Sequence, residues 1–297
     1  MVVRMKFFSL YGKSVIYGVV LLLGALDIIL WQRVFLEERK PDIAMYVFDV
    51  GQGDSIFLDA KDGTRILVDG GPNDRVLAPL GKHMSFFDRS IDAIILTHPH
   101  ADHITGLIEV LKRYRVGMII ENGVSYHTAE AKEFEDIVSK QKLQRIIINH
   151  PMILKFADGA VLRFLTPTHS YERSTLKNIH DAMLVSELDY EGKKILLMGD
   201  AEKNIEDDLV ARGVVGPVDV LKAGHHGSKT SSNTEFLNTV KPKYAIVSVG
   251  RHNRYGHPNY EALLRLAISG AKIFRTDING MIAIVINHGA LLLEHEK

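Results

Sequence analysis

At 297 residues, with 36 basic and 36 acidic side chains, the chain can bury one large α/β core or two small ones and lacks the global charge of a general polyanion binder. A local basic groove stays open. Cysteine is absent, which excludes disulfides and thiolate metal sites and leaves imidazole and carboxylate for any metal chemistry, and histidine is plentiful at 14.

The chain opens on a short basic segment, residues 1–13, holding Arg4, Lys6 and Lys13. From Ser14 to Trp31 it reads SVIYGVVLLLGALDIILW, broken only by Asp27. That run approaches the roughly 20 residues needed to cross a bilayer, and Trp31 with Phe35 suits an interfacial belt. No small-x-small cleavage site follows, so the expectation is an uncleaved transmembrane anchor over 14–35 rather than a signal peptide. Asp27 keeps a buried core helix as the alternative. Arg33, Arg39 and Lys40 nearly balance the basic residues before the span, so charge does not fix orientation. A linker over 36–42 then leads into the remainder.

Short apolar segments at 43–50, 54–59 and 64–69 read as strands, separated by Gly51-Gln52-Gly53 and by a tight turn at Lys61-Asp62-Gly63. Asp69 ends the third, placed to support a metal-bound histidine or simply to form a turn, and Asp54 has the same two readings. Residues 93–97 form a buried-strand run, and His98, His100, Asp102 and His103 follow within six positions, ahead of a helix-like stretch from Ile104 to Tyr114. Three imidazoles and a carboxylate this crowded are costly to desolvate without a cation, so the cluster reads as a metal site.

Beyond it strands and helices alternate, as in an α/β architecture: strand 116–121, helix 128–141, strands 144–149 and 160–166, and a hairpin of 182–190 with 193–198 that ends at Gly199-Asp200. Helix 202–212, strand 218–222, the segment Ala223-Gly224-His225-His226-Gly227-Ser228, strand 243–249, helix 258–269, strand 271–276 and a last hairpin across Asn287-His288-Gly289 complete one globular domain from about residue 42.

In this order, HPHADH after a strand, GDAE after a hairpin and AGHHGS after a strand resemble the metallo-β-lactamase fold. More narrowly, VGQGDS at 50–55, LKAGHHGSKTSS at 221–232, RYGHPN at 254–259 and RTDINGMI at 275–282 resemble the hydrolase domain of the DNA-uptake competence protein ComEC and its free-standing relatives. The resemblance covers nearly all of 43–293 and implies an α/β fold, a four-layer αβ/βα sandwich over 43–297, which the anchor read from the apolar run would precede as one transmembrane helix. It implies a two-metal site in which His98 and His100 bind the first ion, Asp102 and His103 the second, and Asp200 bridges them. His180 is expected to complete the first site, with His169 and Asp181 as lesser candidates. One of His225 and His226 is expected to complete the second, with His225 preferred because Gly224 lets the backbone approach closely.

All-nitrogen-and-oxygen ligation suits Zn²⁺, with Mn²⁺ as the alternative, and two such ions activate water as a hydroxide nucleophile. The expected chemistry is hydrolysis, with Asp102, Asp200 and His257 as catalytic residues. His226, Ser228, Lys229, Arg254 and Tyr255 are expected to bind substrate. Hydroxyls and backbone N–H groups in 227–232 suit phosphate oxygens, and Lys222, Lys229, Arg251 and Arg254 form a small cationic cluster suited to a phosphodiester such as DNA. The expectation is a membrane-anchored, extracytoplasmic phosphodiesterase or nuclease. An amide or lactone hydrolase and a non-catalytic nucleic-acid-binding module are the alternatives.

Overall fold

A computed structural model describes residues 8–38, 40–84 and 88–297, with first-helix side chains described at 15–29 and 31, so Arg4, Lys6 and Arg39 and the side chains of Lys13, Arg33 and Phe35 lie outside the described residues. The chain divides after Pro41 into two compact units. The first holds helix α1, Phe8–Glu38. Its large apolar side chains between Val15 and Ile29, and Trp31, are exposed. Among the described residues no helix is long and apolar enough to cross a membrane.

The second unit begins β1 Ile43–Val47, β2 Ile56–Ala60, β3 Arg65–Val68, α2 Leu77–His83, β4 Ser90–Ile95, α3 Ala101–Arg113, β5 Arg115–Glu121, α4 Ala129–Gln141, β6 Gln144–Ile147. It continues with β7 Met152–Lys155, β8 Val161–Phe164, β9 Ser186–Tyr190, β10 Lys193–Leu197, α5 Lys203–Ala211, β11 Val220–Lys222, α6 Thr234–Val240, β12 Tyr244–Val247, α7 Tyr260–Ile268, β13 Lys272–Arg275, α8 Thr276–Asn279, β14 Ile282–Asn287 and β15 Ala290–His295. The strands form two mixed sheets, one of eight in the order β15-β14-β1-β2-β3-β4-β5-β6 and one of seven in the order β13-β12-β11-β10-β9-β8-β7. β3 to β6 run parallel, as do β10 to β13. Parallel neighbours need crossovers, and α2 to α7 supply most of them.

Side-chain alternation sorts the core into three layers. On β2 and β3, Ile56, Leu58, Ile66 and Val68 join Ile195 and Leu197 of β10 in one cluster between the sheets. Phe57 and Leu67 point the other way and pack with Leu107, Val110 and Phe134 of α3 and α4. Leu196 and Leu221 similarly meet Leu209, Phe236 and Leu266 of α5, α6 and α7. Period-two alternation on strands covered on both faces builds helix, sheet, sheet, helix, with the hydrophobic effect acting on every layer.

The expected elements appear with ends shifted by a few residues, and α3 begins at Ala101 rather than Ile104. Four short ones were not anticipated, α2, β7, α6 and α8, and the segment expected as strand 182–190 starts at Ser186, preceded by a 3₁₀ turn at Ile179–Ala182. That turn is built by Asn178, whose side chain accepts from the His180 N–H at 3.2 Å; an asparagine turn competes with a strand wherever its side chain reaches its own backbone.

Candidate metal centre

The parallel strands deliver the site from their carboxyl ends. β4 runs out through Thr97 to His98, and α3 starts at Ala101 with His100 at its cap, so Asp102 and His103 occupy its first turn. α3 is pressed onto the loop after β3: a Cβ on Gly106 would lie 1.8 Å from the Gly70 carbonyl oxygen. This contact brings the Asp69 carboxylate, on a residue at φ 56°, under the helix. Asp69 accepts from the Thr97 N–H at 2.9 Å, from the Thr97 hydroxyl at 2.7 Å and from His103 Nδ1 at 2.7 Å. Asp200 follows β10, and the turn after β11 carries His225 and His226 at φ 44° and 53°. Left-handed backbone at two consecutive non-glycine residues costs roughly 1–3 kcal/mol each and persists only where the surroundings enforce it.

Among the described residues four groups of potential ligand atoms have all members within 4.8 Å, and the two with four members each are His98, His100, His180 and Asp200, and Asp102, His103, Asp200 and His226. Asp200 is common to both. Its Oδ2 lies 3.8 Å from His98 Nε2 and 3.4 Å from His103 Nε2, and its Oδ1 lies 3.4 Å from His226 Nε2. Three rings are pinned by their other nitrogen. The Thr97 hydroxyl, whose proton goes to Asp69, accepts from His98 Nδ1 at 3.1 Å; His103 Nδ1 donates to Asp69; His226 Nδ1 donates to the Ser248 carbonyl at 3.0 Å. Each ring is thereby oriented with Nε2 facing inward, the nitrogen that would bind a metal.

These residues fit divalent cations. Nε2 of His98, His103, His180 and His226 and Oδ1 of Asp200 are buried without a hydrogen-bond partner. Each such atom costs about 1–3 kcal/mol, a penalty that two shared cations remove.

Electrostatics separate the groups. Burial and the neighbouring imidazole of His103 hold His98 well below the ordinary histidine value. Burial and His180 hold His100 at about 4, and burial lowers His180 too. In the second group burial opposes charge but is outweighed: Asp200 and Asp69 raise His103 well above its ordinary value, and Asp200, Asp54 and Asp102 raise His226 to about 10. Asp200 is driven well below the carboxylate range despite its burial, with His226 and His103 as the chief cause.

The sequence expectation for the histidine doublet is exchanged by the geometry. His226 joins the second group, while His225 gathers with His180 and Glu202, donating from Nδ1 to Glu202 at 3.1 Å. Gly224 does permit a close approach, but to the Ala201 carbonyl, 2.3 Å from where its Cβ would stand. His180 sits in the first group, whereas His169 stacks on Tyr171 and Asp181 accepts from Asn204 at 2.8 Å.

An open cleft of about 300 Å³ over the groups is lined by Gln52, His100, Asp102, Asp200, His225, His226, Tyr255 and His257, and the Arg254 guanidinium lies 5.1 Å over the Tyr255 ring. Ser228 and Lys229 are not among the cleft residues: the Ser228 hydroxyl is engaged with Thr230 at 2.9 Å, and Lys229 lines a separate cavity with Glu202 and Arg265. Lys222 is withdrawn from the expected cationic cluster, being buried with its ammonium 2.6 Å from Asp54. Gln52 and Glu202 were missed by sequence reasoning. Glu202 stands in GDAE two residues from Asp200 and was open to notice; Gln52 carried no chemical signal.

The profile of the Metallo-beta-lactamase superfamily matches residues 48–251. The chain belongs to this superfamily. It is a metallo-β-lactamase-fold hydrolase with histidine and aspartate metal-binding clusters, distantly related to competence proteins. It is 31% identical over 259 residues to ComE operon protein 3 of Bacillus subtilis, covering 80% of this chain and 32% of that protein. It is 30% identical over 256 residues to Competence protein ComA of Neisseria gonorrhoeae, covering 85% and 33%. The hydrolase thus spans about a third of the length of these relatives. Among solved structures, the metallo-β-lactamase fold protein YhfI from Bacillus subtilis superposes with a TM-score of 0.54 at 14% identity, covering 82% of this chain and 99% of that one, a likeness of fold alone.

Proposed function

We propose that this hydrolase is a membrane-anchored phosphodiesterase or nuclease that uses two divalent ions, Zn²⁺ or Mn²⁺. The observation that carries the reading is that two imidazoles beyond the two ligand groups, His225 and His257, face the same cleft with ring centroids 5.4 Å apart. A tetrahedral phosphoryl group has several oxygens to be held at once, more than a carbonyl offers. When bound, the ions supply Lewis-acid polarisation and a lowered pKa for water. His98, His100 and His180 would hold one, Asp102, His103 and His226 the other, with Asp200 between them. Glu202 fixes the His225 ring from behind, leaving Nε2 for a phosphoryl oxygen. Burial and the His225 and His226 rings hold His257 at about 4, so it is neutral near pH 7 and offers an N–H to charge developing on the substrate. Arg254 at the rim adds a cation for a diester anion.

Relatives named for competence and recombination support a nucleic-acid substrate, since DNA is a phosphodiester polymer. For the anchor, support comes from the apolar run at 14–31, which lies within the helix α1. An extracytoplasmic catalytic unit is part of the reading, and alkaline extraction of membranes with protease protection tests both points.

The chemistry is tested with the full chain in detergent, with Zn²⁺ or Mn²⁺ added, on bis-p-nitrophenyl phosphate beside nitrocefin. Diester cleavage that is lost in His98→Ala and absent on nitrocefin is expected. Hydrolysis of nitrocefin alone transfers the protein to the amide class, and equal diester cleavage by wild type and His98→Ala removes the metal mechanism.

A further inference from the structure

A second and larger cavity, of about 920 Å³, opens beside the metal centre at the carboxyl ends of β4, β5 and β6. Pro99, Ile104, Tyr126, Phe134, Ile147 and Glu121 are among its lining residues. Ligands of α/β sheets characteristically enter at this edge of parallel strands, and the volume falls within the roughly 300–1,000 Å³ of small-molecule pockets. Two contacts join it to the site: Pro99 stands between His98 and His100, and the Tyr126 ring lies 5.6 Å from that of His100.

The buried end of the lining does not favour a second phosphate. Its buried carboxylate, Glu121, accepts from Arg145 Nε at 2.6 Å, the Arg145 fork also donates to Glu135 at 2.9 Å, and Lys132 is paired with Asp136. Arg145 and Lys132 are thus spent on carboxylates of the protein itself, while Arg173, which also lines the cavity, is exposed and 3.9 Å from Glu172, so an anion reaching the buried end beside Glu121 gains little. Beside Tyr126, Phe134 and Ile147 the buried end keeps a hydrogen-bonding edge: both Arg145 contacts to Glu121 fall on Oε1, which leaves Oε2 to accept from an N–H.

We propose that this cavity is a ring subsite, which takes a nucleobase attached to the diester whose phosphorus lies over the metal centre, with Tyr126 as its stacking face and Glu121 as acceptor for a ring or amino N–H. The proposal rests on the phosphodiesterase reading and adds to it a preference for base-bearing over base-free diesters. An aromatic face tolerates any base, whereas a single carboxylate favours one with a donor edge.

Deoxydinucleotides with a base on both sugars, on one, or on neither test this on the full chain in detergent with Zn²⁺ or Mn²⁺. Removing the base on one particular side is expected to lower kcat/KM about tenfold, mainly through KM, within the range that stacking on an aromatic ring supports. Tyr126→Ala brings the ratio between base-bearing and abasic substrates close to one, and Tyr126→Phe restores it. Indifference of the wild type to the base, or a wild-type ratio retained in Tyr126→Ala however far both rates fall, overturns the subsite. If the wild type cleaves none of these diesters, the phosphodiesterase reading fails separately. The cavity is then judged by calorimetric titration with deoxyguanosine: saturable binding lost in Tyr126→Ala upholds it, and no binding by wild type overturns it.

Discussion

His225 and His226 are neighbours in sequence with nearly the same backbone conformation, yet His226 is buried with Nε2 3.4 Å from both Asp102 and Asp200, while His225 is half-buried against Glu202 with its Nε2 3.9 Å from Asp200. Successive residues of a left-handed turn point in different directions, and spacing does not say which of two histidines faces inward. His226→Ala is therefore expected to bind one equivalent of metal where the wild type binds two, and His225→Ala to keep both while losing most turnover. Elemental analysis of the purified variants decides it, and a loss of metal in His225→Ala alone would restore the sequence expectation. Asp69 had two readings in the sequence, a support for a ligand and a turn former, and the structure shows it bonded to His103 at 2.7 Å. Removing such a partner typically weakens metal binding about 10–100-fold. Asp69→Ala is expected to show that loss at one of its two sites in a chelator competition, with the other site little changed.

Strands β4, β10 and β11 could be read from their apolar runs because each ends at a ligand-bearing motif, whereas the three core layers they separate are seen only in the structure. The four-layer order was named from the family resemblance rather than from periodicity. The elements that escaped, α2, β7, α6 and α8, are seven residues or fewer, too short for a helical or strand period to stand above its flanks. Close approaches between elements are equally silent in sequence. Gly106 lies mid-helix, where glycine is ordinarily unfavourable by roughly 1 kcal/mol relative to alanine, yet here its missing Cβ is what lets α3 meet the Gly70 carbonyl. Gly106→Ala is expected to lower stability by about 1–3 kcal/mol, the usual cost of overpacking, despite the better helix propensity of alanine. A urea midpoint that rises instead would show that α3 gives way without cost.

For the molecule as a whole, the two ligand groups differ in what a cation must displace. The first is made of imidazoles that crowding and burial already hold neutral, so it takes a cation near pH 7 with little proton release. In the second, His103 and His226 bind protons in the metal-free protein, and these must leave. The sign for folding follows from the same shifts. A histidine raised on folding contributes stability that is complete below the unfolded value of about 6.5 and is lost as pH rises through the folded one, which for His226 is about 10. Raising the pH across this window weakens the metal-free fold while it strengthens metal binding, because fewer protons compete for Nε2. The increase in Tm on adding Zn²⁺ should therefore grow from pH 6.5 to pH 8.5. A ligand at about 100 times its Kd stabilises by about 2.7 kcal/mol, which for a domain of this size corresponds to roughly 5–10 °C. Thermal melts with metal and with chelator at three pH values measure the difference, and a gap that stays constant or narrows as pH rises would mean that the second group does not hold these protons.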